Sequence, residues 1–366
     1  MNWEFFKALL SFDSTSGKER EVAEWLLTTL DAPSKQSFEV GDGTLNLLLS
    51  WGTPKVVFCT HMDTVPPYIS PSFYPEDTPS GGTPFASLTP APPTASAAGP
   101  SPCPCPGVDK STGGGIFRIT GRGSNDAKGQ IFALYTACKE LEAAGCTDFG
   151  LLLLSGEETG SWGAKAFART AFRAPYLIVG EPTENKMVSA SKGTLSYDLT
   201  FAGEAFHSGY PQYGVSAVDL FNDFYNQLKA KDFGEDPELG ETTWNVGLLR
   251  SDNPQNILSP ELTCRVYFRT TFVSHQAVQD YMGAVPGAAL RAKGDAPAHY
   301  LTLPGLPSAP VAFGSDAPHL TNFDQKIICG PGSIRTAHRS DEHILASDLE
   351  TAVAQYIQMY RLLCLR

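Results

Sequence analysis

Long apolar runs, blocks of basic residues and clustered cysteines are all missing from this 366-residue chain. No apolar stretch approaches the roughly 20 residues that cross a bilayer. The start, Met1-Asn2-Trp3-Glu4-Phe5-Phe6, lacks the basic flank of a secretory leader. A membrane protein is therefore not expected, and the cytoplasm is the expected compartment. The formal charge is −12; nucleic acid and anionic membrane both demand a basic footprint, so neither is expected as a partner. The eight cysteines are scattered, and Cys59, Cys138, Cys264 and Cys329 fall inside apolar segments, the pattern of buried free thiols rather than of a disulfide framework. Cys103-Pro104-Cys105 is the only close pair. With one intervening residue and no second pair nearby, it reads as an idle loop rather than a zinc or redox site.

What the chain does have is a set of apolar runs that end in chelating side chains. Val56 to Thr60 lead into His61 and Asp63, Leu151 to Leu154 into Glu157 and Glu158, and Leu177 to Val179 into Glu181; Ile327-Ile328-Cys329 precede His338. Uniformly apolar runs suit strands covered on both faces. In an open α/β sheet, sites are built in the crevice outside the carboxyl ends of the strands, so the repetition points to one shared site. Asp126 opens a helix whose Ile131, Leu134, Tyr135, Cys138 and Leu141 are spaced for an inner face. Ser16 to Glu19 and Ser347 to Glu350 have capping-box spacing and predict the starts of two further helices.

A chain of this length exceeds the size at which one core keeps growing, so two domains are expected. In the middle, Leu195, Tyr197, Leu199 and Phe201, and later Leu262, Cys264, Val266 and Phe268, alternate with more polar residues, the period of half-exposed antiparallel strands. Helical segments open at Ser216 and Ser274, which yields the strand, helix, two strands, helix, strand order of a ferredoxin-like fold. The expected architecture is an α/β domain with a mixed, mostly parallel sheet and helices on both faces, formed by residues 1–185 and 305–366. An α+β domain at 186–304 is inserted into it. Residues 70–115 are rich in Pro, Ser, Thr, Ala and Gly and cannot bury enough apolar surface to offset their ordering entropy, so they are expected to be a flexible, inert insertion.

The segments HMDTVPP (61–67), GRGSNDAKG (121–129), LLLLSGEETGSWGAK (151–165), VGEPTE (179–184), FHSGYPQYGVSA (206–217) and GPGSIRTAHRSDEH (330–343) resemble, in order, the signatures of a metallopeptidase family of zinc-exopeptidase-like fold. That family contains acetylornithine deacetylase, succinyl-diaminopimelate desuccinylase, aminoacylase and glutamate carboxypeptidase. The resemblance implies two divalent ions, one held by His61, Asp126 and Glu181, the other by Asp126, Glu158 and His338. The donors suit zinc, with cobalt or manganese as substitutes. It further implies Glu157 as the proton carrier, Asp63 as the carboxylate that orients His61, and His207 as the group that stabilises the oxyanion. Asn256, Arg269 and Gly332 resemble groups that hold the substrate carboxylate. The implied substrate is a small N-acyl amino acid, N-acetylornithine first, with a dipeptidase, a carboxypeptidase or a desuccinylase as the alternative. The implied assembly is a homodimer through the inserted domain. The family crosses from the first motif to the second with a shorter connection, so residues 70–115 are the main departure.

Each assignment also has a plain structural reading. Glu157-Glu158 fits a solvated helix start, Glu181-Pro182 a turn, and Asp126 a helix N-terminal acid. His275, His299, His319 and His343 are expected to be ordinary surface or core residues. His61 and His338 are set apart from them by lying in motifs at the site-bearing ends of strands.

Overall fold

In spatial order, the strands of the largest sheet are Ser34–Gly41, Thr44–Trp51, Phe149–Leu154, Val56–His61, Ala174–Val179 and Phe323–Ile328. The last four are parallel, whereas Thr44–Trp51 runs against both of its neighbours. The coordinates are those of a computed structural model, which describes residues 1–41, 43–75, 116–292 and 294–364. Cys103-Pro104-Cys105 and most of the Pro-rich segment lie outside the described residues.

The two-residue period of a strand divides the sheet between two cores. Val56, Phe58, Leu151, Leu153 and Ile178 face the larger one, together with side chains of the helices Trp3–Leu10, Arg20–Thr29, Lys128–Ala143 and Ala346–Cys364. Val57, Cys59, Leu152, Leu154, Leu177 and Val179 face the other, against the helix Trp162–Phe167 and the short turn at Ala317–His319. Full burial of each such side chain contributes roughly 1.5–3 kcal/mol, so the strand ends are anchored on a stiff platform. Cys59, Cys138, Cys264 and Cys329 are buried free thiols, as expected. No described helix is long and apolar enough to cross a membrane.

The alternating segments of the middle region form a second, four-stranded antiparallel sheet in the order Thr243–Arg250, Glu261–Thr270, Gly193–Ala202, Ala288–Ala292. Helices Ala217–Ala230 and His275–Gly283 cover one face, where Leu195, Phe224, Val266, Phe268, Val278 and Met282 form a separate core. The order is the expected ferredoxin-like one. Between the two bodies lies a small sheet in which Met187–Ser191 pairs with Ala298–His299 and Ser308–Val311. Its Val188 packs into the core of the large sheet.

Several local expectations are corrected. Ser16 does not cap a helix: the first long helix starts at Arg20 behind Glu19, and the Ser16 hydroxyl instead donates to Asp63 Oδ2 at 2.8 Å. A long-range charged acceptor has outcompeted the local backbone. The final helix begins at Ala346, so Ser347 lies inside it, although the end near Cys364 agrees. The hairpin Ser34–Gly41/Thr44–Trp51 was not anticipated. Ser72–Pro75, assigned above to the flexible segment, is a strand paired with Ile116–Thr120, because Phe73 packs edge-on against Phe6 in the core.

Candidate active site

The four parallel strands deliver their carboxyl ends to one crevice, where the loops after them carry the chelating residues. Asp126 lies in the turn preceding the helix Lys128–Ala143. Its Oδ1 is 3.2 Å from His61 Nε2 and its Oδ2 is 3.2 Å from His338 Nε2. His338 Nε2 also lies 3.0 Å from Glu158 Oε1. Two sets, His61, Asp126 and Glu181, and Asp126, Glu158 and His338, each offer ligand atoms within 4.8 Å of one another. Asp126 belongs to both.

The electrostatics of these sets favour a cation. His61 Nδ1 is 3.0 Å from the Asp63 carbonyl and 3.2 Å from Asp63 Oδ1, so in the neutral ring the proton sits on Nδ1 and the Nε2 lone pair faces Asp126. A lone pair and a carboxylate repel unless a proton or a metal ion lies between them. Burial works to lower the His61 pKa, but the Asp126 and Asp63 carboxylates push it well above its ordinary value. Asp126 and Glu158 push the His338 imidazole up to about 10. Burial raises the carboxyls of Glu157 and Glu181 well above their usual range. Among the described residues, Glu181 Oε1 is buried without a hydrogen-bond partner. An imidazole and carboxylate donor set with an orphaned acceptor fits divalent ions.

Asp63, with no exposed surface, ties the site together. Besides His61, its Oδ1 accepts the Glu157 N–H at 3.0 Å and its Oδ2 accepts the Glu158 N–H at 3.1 Å. One carboxylate thus sets the imidazole tautomer and fixes the loop that bears both glutamates.

The crevice continues into a cleft of about 450 Å³ lined by Asp126, Glu157, Glu158, Glu181, His338 and Arg269, among others. Arg269 is half-buried, with its guanidinium 5.0 Å from the centre of the Tyr267 ring. Gly332 is buried beside Asn125 and does not line the cleft. His207 and Asn256 lie elsewhere. Both are exposed on the second body, where the Ser208 N–H donates to the Asn256 carbonyl at 2.9 Å, and neither lines this cleft. His319, expected to be an ordinary residue, does line it, with Nε2 3.4 Å from Asp295 Oδ2.

Three carboxylates that matter here were not singled out from the sequence. Glu342 Oε1 accepts N–H groups from Gly123, Asn125 and Asp126 at 3.0, 3.1 and 3.1 Å, and Arg122 Nη1 donates to its Oε2. It cradles the turn that presents Asp126. Its place four residues after His338 was the available signal. Glu19 Oε1 accepts the Gly156 N–H at 3.1 Å, bracing the glutamate loop from the other side. Asp316 is 2 % exposed, and although Ser161 is close, neither of its oxygens has a hydrogen bond of ordinary geometry among the described residues. Burial pushes this carboxyl up to about 6, opposed by His61. The apolar run Ala309 to Phe313 ends three residues before it, as Leu151 to Leu154 does before Glu157, and that was the available signal.

A mixed sheet with a ferredoxin-like insertion and a crevice of imidazoles and carboxylates defines a metal-dependent hydrolase. The family model described as Peptidase family M20/M25/M40 matches residues 106–361, and the chain belongs to that family. It is accordingly a hydrolase of peptide or amide bonds, of a metallopeptidase family that works with divalent metal ions. A probable carboxypeptidase of Aspergillus oryzae is 29% identical over 396 residues, covering 96% of this chain and 85% of its own. A tripeptidase from Staphylococcus aureus shares the fold with a TM-score of 0.72 at 15% identity, over 100% of this chain and 98% of that one. An M20 family metallo-carboxypeptidase from Sulfolobus solfataricus does so with a TM-score of 0.63 at 15% identity, over 100% and 99%.

Proposed function

We propose that this protein is a two-metal exopeptidase that releases an amino acid from short peptides with a free terminal carboxylate, N-acyl amino acids being cleaved by the same chemistry. One observation carries the reading: two triads of ligand atoms, each within 4.8 Å, share Asp126 at the mouth of a cleft that contains Glu157 and Arg269. The carboxypeptidase and tripeptidase names of similar proteins rank peptides ahead of N-acetylornithine.

In this reading His61, Asp126 and Glu181 hold one ion, and Asp126, Glu158 and His338 the other, with zinc first and cobalt or manganese as substitutes. When bound, such a pair polarises the scissile carbonyl and lowers the pKa of water toward ~7. Glu157 takes the proton of the attacking water and passes it to the leaving nitrogen, a task suited to a carboxyl whose pKa burial has raised. Asp63 keeps the His61 proton on Nδ1, so that Nε2 stays available. Arg269 holds the substrate carboxylate from the far side of the cleft, with Gly332 keeping the nearby loop in place. Residues 186–304 act as a lid and dimerisation domain. Because His207 and Asn256 do not line the cleft of their own chain, they would serve the site of a second copy, with His207 donating to the oxyanion.

The test is a panel of dipeptides, tripeptides, N-acetylornithine and other N-acetyl amino acids, assayed after chelation and again after reloading with zinc, cobalt or manganese. Peptide turnover that vanishes with chelator and returns with metal is expected. Glu157→Gln is expected to retain its metal and lose about 10²–10⁴ in rate. A Glu157→Gln enzyme that is fully active would remove this residue from the mechanism.

A further inference from the structure

A second cavity, of about 570 Å³, lies beside the catalytic cleft and shares Arg269, Phe313 and Ile334 with it. Its other walls are largely apolar, with Pro182, Pro310, Val311 and Ala312 among them. Arg335 and Lys186 stand at its exposed side; Lys186 is already paired with Glu184 at 3.2 Å. The Arg269 guanidinium lies over the Tyr267 ring and lines both cavities, where it is placed to bind an anion.

The amide nitrogen, the carboxylate and the side chain of a peptide's last residue diverge from one Cα. If the amide lies over the Asp126 crevice and the carboxylate is held by Arg269, the side chain must leave in a third direction. The second cavity, walled in common with the cleft by Arg269, Phe313 and Ile334, is the space next to the group that holds the carboxylate. We propose that the second cavity is the pocket for the side chain of the substrate's C-terminal residue, and that it selects large apolar or aromatic side chains. This rests on the exopeptidase reading above and adds its substrate class. Burying an aromatic side chain against Val311, Phe313 and Ile334 removes apolar surface from water, whereas an Ala side chain leaves most of the cavity unfilled.

The experiment compares kcat/KM for matched acyl-Phe, acyl-Ala and acyl-Glu substrates on the metal-loaded enzyme and on Ala312→Trp, which fills the cavity. Pocket discrimination by size is typically tenfold or more, so the wild type is expected to favour Phe over Ala by at least about tenfold, and the ratio is expected to fall toward one in Ala312→Trp. Equal rates for Phe and Ala in the wild type, or a ratio unchanged in the variant, would overturn the assignment. Faster cleavage of the Glu substrate than of the Phe one would also overturn it, making Arg335 the reading group. If none of the three is cleaved by metal-loaded enzyme, the exopeptidase reading itself fails. Because the ratio compares two substrates on one protein, loss of folded enzyme cancels from it. A companion variant, Val311→Phe, checks that a second way of filling the cavity acts alike.

Discussion

Replacing Glu342 with Gln tests whether the turn that presents Asp126 is held in place or merely happens to lie there. Glu342 is 1 % exposed and Arg122 2 %. Burial raises the Glu342 carboxyl above its ordinary value even with Arg122 beside it, so the intact pair adds little net stability. Breaking it is a different matter. An uncompensated buried charge left on Arg122 costs about 3–5 kcal/mol. The three backbone N–H groups keep an acceptor in Gln, but a neutral one, which weakens bonds that are worth roughly 1.5–3 kcal/mol each when the partner is charged. A loss of about 3–5 kcal/mol in urea unfolding is therefore expected. Asp126 belongs to both triads, so a loosened turn should weaken both ions together, by about 10–100-fold each, as for other residues that support a metal ligand. Competition against a chelating dye measures this. The double variant Arg122→Met/Glu342→Gln should recover part of the stability, because no buried charge is then left alone and the three N–H groups keep an acceptor. If Glu342→Gln unfolds within about 1 kcal/mol of the wild type and binds metal as tightly, the proposed cradle plays no part.

Two further substitutions probe the same region. Burial lowers the Lys128 pKa from 10.5 to about 8. Below pH 8 both folded and unfolded chains carry this proton and the folded state bears the cost of the charge. Between about 8 and 10.5 only the unfolded chain keeps it, so this group's contribution to stability rises with pH. Lys128→Met should thus gain most over the wild type at neutral pH, less a constant loss for the bond to the Phe12 carbonyl, and the advantage should shrink by pH 10.5. A difference in urea midpoints that is flat with pH would contradict this. Gly332 has a φ of 78°, and a Cβ there would lie 1.8 Å from Asn125 Oδ1. Gly332→Ala should therefore lower the melting temperature, at a cost of about 1–3 kcal/mol, and reduce turnover by displacing the residue next to Asp126. An unchanged melting temperature would mean that the loop is freer than drawn.

The strand ends and most of the residues that the fold gathers in the crevice were legible in the sequence because the same local rule wrote them. An apolar run long enough to be covered on both faces, followed at once by His61, Glu157-Glu158 or Glu181, names both the element and the end of it that faces the site. The alternating Leu195 to Phe201 and Leu262 to Phe268 likewise announced the second sheet, since a two-residue period needs only neighbours along the chain. What the sequence left open depends on partners far apart in it. Asp63 meets the Glu157 N–H 94 positions away and Glu342 meets Asp126 216 positions away. The motifs around Asp63 and Glu342 mark the two carboxylates but not the N–H groups they meet. Ser16 looked like a helix cap until the fold offered it Asp63, a charged acceptor that the backbone could not match. The sequence by itself determined most of the long elements and the residue types of the candidate site, though not the hairpin Ser34–Gly41/Thr44–Trp51 or the strand Ser72–Pro75. Only the tertiary structure decided which loops meet, that His207 and Asn256 stand apart from the cleft, and that Arg269 stands between two cavities, because those outcomes are set by packing between segments that share no local sequence.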